Sequence, residues 1–184
     1  MTRIIAGLAG SLPLVVPDTG TRPTSDRVRE SVFGALESAH PLEGIRVVDL
    51  YAGSGALGLE AVSRGASSLD LVERSPRAAA VVARNVRTVT RAAPDASMRV
   101  HRSSADAYLR SRPGPFDLAF VDPPYDLADD DLTLTLSHLT PCLADAALVI
   151  VERAARSPEP RAPGLALERA KRYGDTHVWW LRAE

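Results

Sequence analysis

The segment with the most definite chemistry is Asp122-Pro123-Pro124-Tyr125. Two consecutive prolines stiffen a loop and leave carbonyls with no N–H of their own beside them. The Asp122 carboxylate and the Pro123 carbonyl can then accept both protons of one NH2 group. An exocyclic amine on a base is a weak nucleophile, because its lone pair is delocalised into the ring. Acceptors on both protons favour an sp3 nitrogen and stabilise the positive charge that grows as it attacks an electrophilic carbon. Tyr125 adds a ring face for a base taken out of its stack. Asp-Pro-Pro also occurs as a rigid surface turn, so its place in the fold decides between the two readings.

A second cluster surrounds Asp49-Leu50-Tyr51-Ala52-Gly53-Ser54-Gly55-Ala56-Leu57-Gly58. The spacing Gly53-x-Gly55-x-x-Gly58 lets a backbone turn tightly into a helix whose N–H groups face a ligand. By itself it is shared with dinucleotide-binding enzymes. Asp49 separates the two cases: a carboxylate at this strand end repels a pyrophosphate and accepts from an amine. Glu73 ends the next strand, where an acid can take both hydroxyls of a ribose; it could equally cap the helix that opens near Ser75-Pro76. Ser104-Ala105-Asp106 holds the third such position. There Asp106 could meet an adenine amine or sit in a helix's first turn and complement its dipole. An adenosine bearing an amine and a ribose but no pyrophosphate fits all three, which describes S-adenosyl-L-methionine.

These loops need a scaffold. Short, mostly apolar strands are expected at 45–50, 68–73, 98–102, 116–121 and 146–152, separated by helical stretches at 55–64, 76–92, 104–111 and 129–141. That alternation predicts an α/β fold with a mostly parallel, doubly wound sheet. Asp122 then follows the fourth strand, at the edge where such sheets bind ligands. Two further strands, 165–173 and 176–182, turn at Gly174-Asp175 into a terminal antiparallel hairpin. Ahead of the sheet, apolar runs at 3–8 and 12–16 flank Ala9-Gly10-Ser11 as a small hairpin. A helix capped by Thr24 or Ser25 carries Val28, Val32, Phe33 and Leu36 at helical spacing and stops near His40-Pro41.

The chain has 184 residues, 45% apolar and 24% charged, with net charge −1. This suits one domain and excludes disordered and disulfide-stapled classes. A single cysteine and scattered histidines suggest neither a bridge nor a metal site. No apolar run approaches the roughly 20 residues of a membrane span, and the first residues do not form a signal peptide. A soluble, cytoplasmic protein is expected. The near-neutral average hides segregation: residues 74–112 hold nine arginines against Asp95 and Asp106, whereas 113–145 hold seven aspartates and no basic residue. Such blocks either cancel on folding or face solvent apart.

Taken together, Arg3-Ile4-Ile5-Ala6-Gly7, Thr21-Arg22-Pro23-Thr24-Ser25-Asp26-Arg27-Val28-Arg29-Glu30, the glycine loop with Leu59-Glu60-Ala61, and Asp122-Pro123-Pro124-Tyr125 resemble the RsmD-type methyltransferases. The glycine loop and Asp-Pro-Pro-Tyr are shared with many amino-methyltransferases, and the threonine-arginine-proline stretch singles out this family. The resemblance spans essentially the whole chain. It implies a class I methyltransferase Rossmann-like sheet at 42–184, with a hairpin-and-helix extension at 1–41 that contacts RNA. It implies methyl transfer from S-adenosyl-L-methionine to the N2 amine of a guanine in 16S rRNA, held in a 30S particle or assembly intermediate, by a monomer.

By position, Asp49, Tyr51, Ala52, Gly53, Ser54 and Gly55 would hold the methionine end of the cofactor. Glu73, with Arg74 beside it, would hold the ribose, and Ala105 with Asp106 the adenine. Asp122, Pro123, Pro124 and Tyr125 would take the guanine. Arg3, Arg22, Thr24, Arg27 and Arg29 would face RNA. Family members often carry basic residues in the first hairpin, whereas Leu8-Ala9-Gly10-Ser11-Leu12-Pro13 has none. RNA grip would then fall to Arg3, to backbone contacts or to the arginine-rich block. The same clamp would serve adenine N6 or a protein glutamine amide, and a non-catalytic RNA- or cofactor-binding module is the reading from another class. His101, His138 and His177 have no partners at local spacing and read as structural or surface residues. Cys142 reads as a small buried residue. Trp179 and Trp180 are expected on opposite faces, one in the core and one outward.

Overall fold

A computed structural model describes residues 2–17 and 26–184. Seven strands form one sheet: β3 (Arg46–Leu50), β4 (Ser68–Val72), β5 (Ser97–His101), β6 (Phe116–Val121), β7 (Leu143–Ala154), β8 (Leu165–Tyr173) and β9 (Thr176–Ala183). Their order is β5-β4-β3-β6-β7-β9-β8, parallel through β7 and antiparallel where β9 pairs with β7 and β8. The expected elements are all present, with β7 longer than anticipated. The chain winds outward from β3 to β5, then returns to the other side of β3 with β6. Loops leaving β3 and β6 therefore diverge and open a crevice at the carboxyl ends of the strands.

Helices cover both faces. On one lie α1 (Asp26–Ala39), α2 (Ala56–Ser63) and α3 (Pro76–Thr90); on the other lie α4 (Ala105–Leu109) and α5 (Asp129–Leu139). Successive strand residues feed opposite layers: Val47 joins Leu59, Phe33 and Val82, whereas Val48 joins Tyr108, Leu136 and Leu139. Val28, Val32, Phe33 and Leu36 are buried along α1 as their spacing predicts. Ile4 and Leu14 share that layer, so extension and sheet have a common core.

The first hairpin is smaller than its apolar runs suggest. Only Thr2–Arg3 (β1) and Pro13–Leu14 (β2) pair as strands. Residues 5–9 turn instead onto α2: the Glu60 carboxylate accepts from the Ile5 and Ala6 N–H groups at 2.7 and 3.1 Å, and the Leu8 N–H reaches the Ser63 carbonyl at 2.7 Å. Gly7 makes this possible. Its φ is +83°, and a Cβ there would lie 1.8 Å from the Ser63 oxygen.

Two other expectations change. Trp179 and Trp180 do sit on opposite faces, but both are buried, because helices cover each face and the Arg169 guanidinium lies 5.2 Å from the Trp180 ring. Two histidines have partners from other elements, His101 bonding Asp70 at 3.0 Å and His138 pairing with Asp106, while the His177 ring lies 4.1 Å from that of Trp179, two residues on in the same strand. Cys142 is buried as expected.

Candidate active site

The site is built by register. Leu50, Val72 and Val121 are direct partners across β3, β4 and β6, so the next residues, Tyr51, Glu73 and Asp122, emerge side by side at one edge. A cleft of about 1230 Å³ opens there. Its walls bring together Asp49, Tyr51, Ala52, Gly53 and Ser54 with Glu73 and Arg74. Ala105 and Asp106 stand in its wall, as do Asp122 and the three residues after it. Gly55 lies just behind, with φ +79° as the N-cap of α2. A side chain there would press Leu71 and Leu59 at 3.1 and 3.3 Å.

Asp49 is fully buried at the strand end, where its carboxylate accepts the Gly58 N–H at 2.9 Å. Burial pushes its pKa up to about 7, and the charges of Asp122 and Glu73 add to the rise against that hydrogen bond. Glu73 is half-buried and accepts from the N–H groups of Gly53 at 3.0 Å and Ser75 at 2.7 Å. It ties the glycine loop to the start of α3, while Ser75 itself caps that helix through the Ala78 N–H. Asp49, Glu73 and Asp122 thus gather around one cleft, the first two with backbone donors in reach. Such a site favours a cationic ligand, and the ammonium and sulfonium of S-adenosyl-L-methionine fit it. Asp106 stands in the cleft wall and in the first turn of α4, where one carboxylate oxygen accepts from Arg110 and the other pairs with the His138 ring.

The acceptor end is shaped by the loop after β6. The Pro124 carbonyl accepts the Leu127 N–H at 3.0 Å and closes a turn. Pro123 is buried, and Tyr125 is 39% exposed, with its hydroxyl 3.2 Å from Thr176 Oγ1 at the start of β9. Its ring is therefore held at the mouth of the cleft by the last hairpin. Two positioning residues escaped the sequence reading. Arg153, buried in β7, donates to the Leu127 carbonyl at 2.7 Å and pairs with Asp129 at 3.0 Å, fixing the chain beyond Tyr125. Asn85 is buried in α3; its amide bonds both the N–H and the carbonyl of Val15, at 2.9 and 2.8 Å, and the Ser54 carbonyl at 2.8 Å. It ties the glycine loop to the arm whose Val16 and Pro17 line the cleft. The available signal was an asparagine within the buried stripe of Ala78, Val82 and Val89.

The residues expected to face RNA separate. Arg3 and Arg27 are exposed, whereas Arg22 and Thr24 lie outside the described residues. Arg29 is corrected: it is completely buried, donates to the Arg3 carbonyl and pairs with Asp26 at 2.9 Å. The α1 periodicity that turns Val28, Val32 and Leu36 inward turns Arg29 inward too. All nine arginines of 74–112 are exposed, so the charge blocks do not cancel; Asp117 of the acidic block pairs instead with Arg46 at 3.0 Å.

Comparison with known proteins places this geometry. The family described as Conserved hypothetical protein 95 matches residues 2–182. Ribosomal RNA small subunit methyltransferase D of Escherichia coli (strain K12) is 37% identical over 162 residues, covering 88% of this chain and 79% of that protein. YlbH of Bacillus subtilis (strain 168) is 34% identical over 183 residues, covering 96% of each. The solved structure of Escherichia coli yhhF superposes with a TM-score of 0.86 at 34% identity, covering 99% of this chain and 97% of that one. With the class I sheet and the cofactor cleft in place, the chain belongs to the Conserved hypothetical protein 95 family, the RsmD-type S-adenosylmethionine-dependent methyltransferases.

Proposed function

We propose that the chain methylates the exocyclic N2 amine of a guanine in 16S rRNA presented by a 30S particle or an assembly intermediate. The observation that carries this reading is the placement of Asp122 and Tyr125 beside Glu73 and Asp49 at one mouth of the cleft. The bound cofactor supplies an electrophilic methyl group on a sulfonium sulfur. Asp49 and the glycine loop hold its methionine end, Glu73 its ribose, and Ala105 packs against its adenine. Asp122 and the Pro123 carbonyl accept the two amine protons, which keeps the nitrogen lone pair directed at the methyl carbon and stabilises the cation that forms on nitrogen. Tyr125 stacks the base, and one proton leaves the nitrogen afterwards for solvent. A strong general base is not required. The E. coli relative's ribosomal name and the threonine-arginine-proline stretch at 21–30 favour rRNA over other amine acceptors.

The test is incubation with radiolabelled S-adenosylmethionine and, separately, 30S particles and protein-free 16S rRNA from a strain lacking its own enzyme. Label in N2-methylguanosine is expected. Label in N6-methyladenosine, or in protein, would replace the assignment. Faster transfer to 30S particles than to bare rRNA is expected; equal rates would remove the particle from the reading.

A further inference from the structure

The first hairpin carries no charge between Leu8 and Pro13, and Arg29 is buried, so few of the expected RNA contacts are available there. The exposed arginines of 74–112 are numerous, but Arg110 and Arg112 follow α4, and the other seven of the nine belong to α3, β5 and their flanking loops on the β4–β5 side of the sheet. There Arg74 and Arg77 border the end of the cleft that holds Glu73. The cofactor half of the cleft therefore stands between that block and Asp122. The opposite flank, beyond Asp122 and Tyr125, is formed by the β8–β9 hairpin.

That hairpin touches the acceptor loop directly, through Tyr125 and Thr176. Thr176 is the register partner of Tyr173, and residues 167–172 of β8 are all exposed. β8 is the last strand of the sheet, so among the described residues no strand neighbours its outer side. Lys171 and Arg172 point to opposite faces of β8. Lys171 Nζ lies 4.8 Å from the Tyr173 ring centroid and 3.4 Å from Ser31 Oγ on α1. Arg172 is oriented by the Gly174 carbonyl at 2.9 Å. Tyr173 locks the hairpin to α1 through the same Ser31, at 2.7 Å. One turn before Ser31 stands exposed Arg27. On the far side of the tip, exposed Arg156 follows Ala155, whose N–H meets the Asp175 carbonyl at 2.8 Å. Four exposed cations thus straddle a tip that contacts Tyr125, against the acids Asp175 and Asp126.

We propose that this tip, with Lys171 and Arg172 at its centre and Arg27 and Arg156 on its flanks, grips the RNA sugar-phosphate backbone next to the methylated base. Phosphate contacts of this kind set register without reading sequence. An open strand edge adds backbone N–H donors to the cations. The inference rests on the RNA reading above and names where that RNA lies.

The test compares two double variants of the full chain, Lys171→Ala/Arg172→Ala and Arg84→Ala/Arg87→Ala. Filter binding of 16S rRNA would be measured across a salt series, with S-adenosylmethionine affinity and melting temperature measured alongside. The hairpin variant is expected to lose about tenfold in rRNA affinity and to flatten the log–log salt slope by about 1.4, two contacts at about 0.7 each for single strands. Its cofactor affinity and melting temperature should stay as in the parent. The α3 variant should change little. Parent-like rRNA binding by the hairpin variant, with loss in the α3 variant, would overturn the proposal and move the surface to the arginine block. A fall in cofactor affinity matching the fall in rRNA affinity would also overturn it, as a structural effect. If the parent protein neither binds nor methylates rRNA, the functional reading itself fails, which the parent's own binding curve reports separately.

Discussion

The cleft at the carboxyl ends of β3, β4 and β6 and the N-terminal extension both bring charged side chains inward, and they use them in opposite ways. In the cleft, Asp49 and Glu73 receive backbone N–H groups while sharing a pocket with Asp122. In the extension, acid meets base and backbone. Glu60 takes two N–H groups and the Arg64 guanidinium at 2.7 Å, Arg64 also reaches Glu37 at 2.8 Å, and Arg29 joins Asp26 to the Arg3 carbonyl. Gathered acids await a cationic ligand. Acids matched by bases hold two pieces of chain together. A charged motif therefore points to a ligand where acids share an open cleft, and to packing where each acid is matched by a base at close range.

The largest test of this contrast is Asp122→Ala. Removing an acceptor aimed at the developing charge should cost about 10²–10³-fold in kcat. S-adenosylmethionine affinity, measured by calorimetry, should change by less than threefold, about 0.7 kcal/mol. Parallel loss of both would make the loop a scaffold rather than an amine clamp. On the other side of the comparison, Arg29→Ala should lose about 3 kcal/mol of stability from the cavity and the freed Arg3 carbonyl. Arg29→Met should recover most of that in denaturant titration. Among the described residues Arg29 Nε and Nη1 have no hydrogen-bond partner, a cost that an apolar chain of similar length avoids. If Arg29→Met instead weakened rRNA binding with stability intact, the residue would belong with the ligand-facing group after all.

The difference between the regions also explains what could be read from sequence. Strand–helix alternation predicts every sheet strand, and the ends of those strands are where loops must face solvent. Asp49, Glu73 and Asp122 were therefore placeable from pattern alone. Arg29 was not, because an arginine three residues from an aspartate in an amphipathic helix is compatible with either face until the packing of Arg3 above it is known. Asp106 shows the same limit. Its carboxylate is paired with His138, thirty-two residues away on α5, a contact that local spacing does not encode. Tyr125 was legible as a ring beside the clamp, but its anchor Thr176 comes from a hairpin fifty-one residues later.

Asn85 lies where the two regions meet. Asn85→Ala removes three hydrogen bonds from partly buried backbone groups of Val15 and Ser54, and should cost about 2 kcal/mol in stability. Because Val16 and Pro17 line the cleft, KM for S-adenosylmethionine should also rise severalfold. Asn85→Asp keeps an acceptor for the Val15 N–H but sets a carboxylate against two carbonyls, so it should do no better than alanine. An aspartate variant with parent-like KM would show that the arm and the glycine loop are positioned independently.

The pH dependence set by Asp49 has a sign that follows from burial. The carboxyl titrates near 7 in the folded chain against an ordinary 3.8. Between those values the native state holds more protons than the unfolded one. Its contribution to stability therefore declines as pH rises through that window, and above 7 the whole cost of a buried anion is carried. A cationic ligand favours the ionised form, so binding expels the proton. S-adenosylmethionine affinity should then climb with pH below 7, by up to about tenfold per unit, and level off above it. A variant isolates this carboxyl: Asp49→Asn should flatten the profile and remove this residue's share of the ligand-free protein's decline in melting temperature toward high pH. A parent affinity that does not vary between pH 5.5 and 8.5 would mean that Asp49 is already ionised in the ligand-free cleft. In that case the Gly58 N–H compensates its burial, and the distinction between gathered acids and matched ones is weaker at this residue than its surroundings imply.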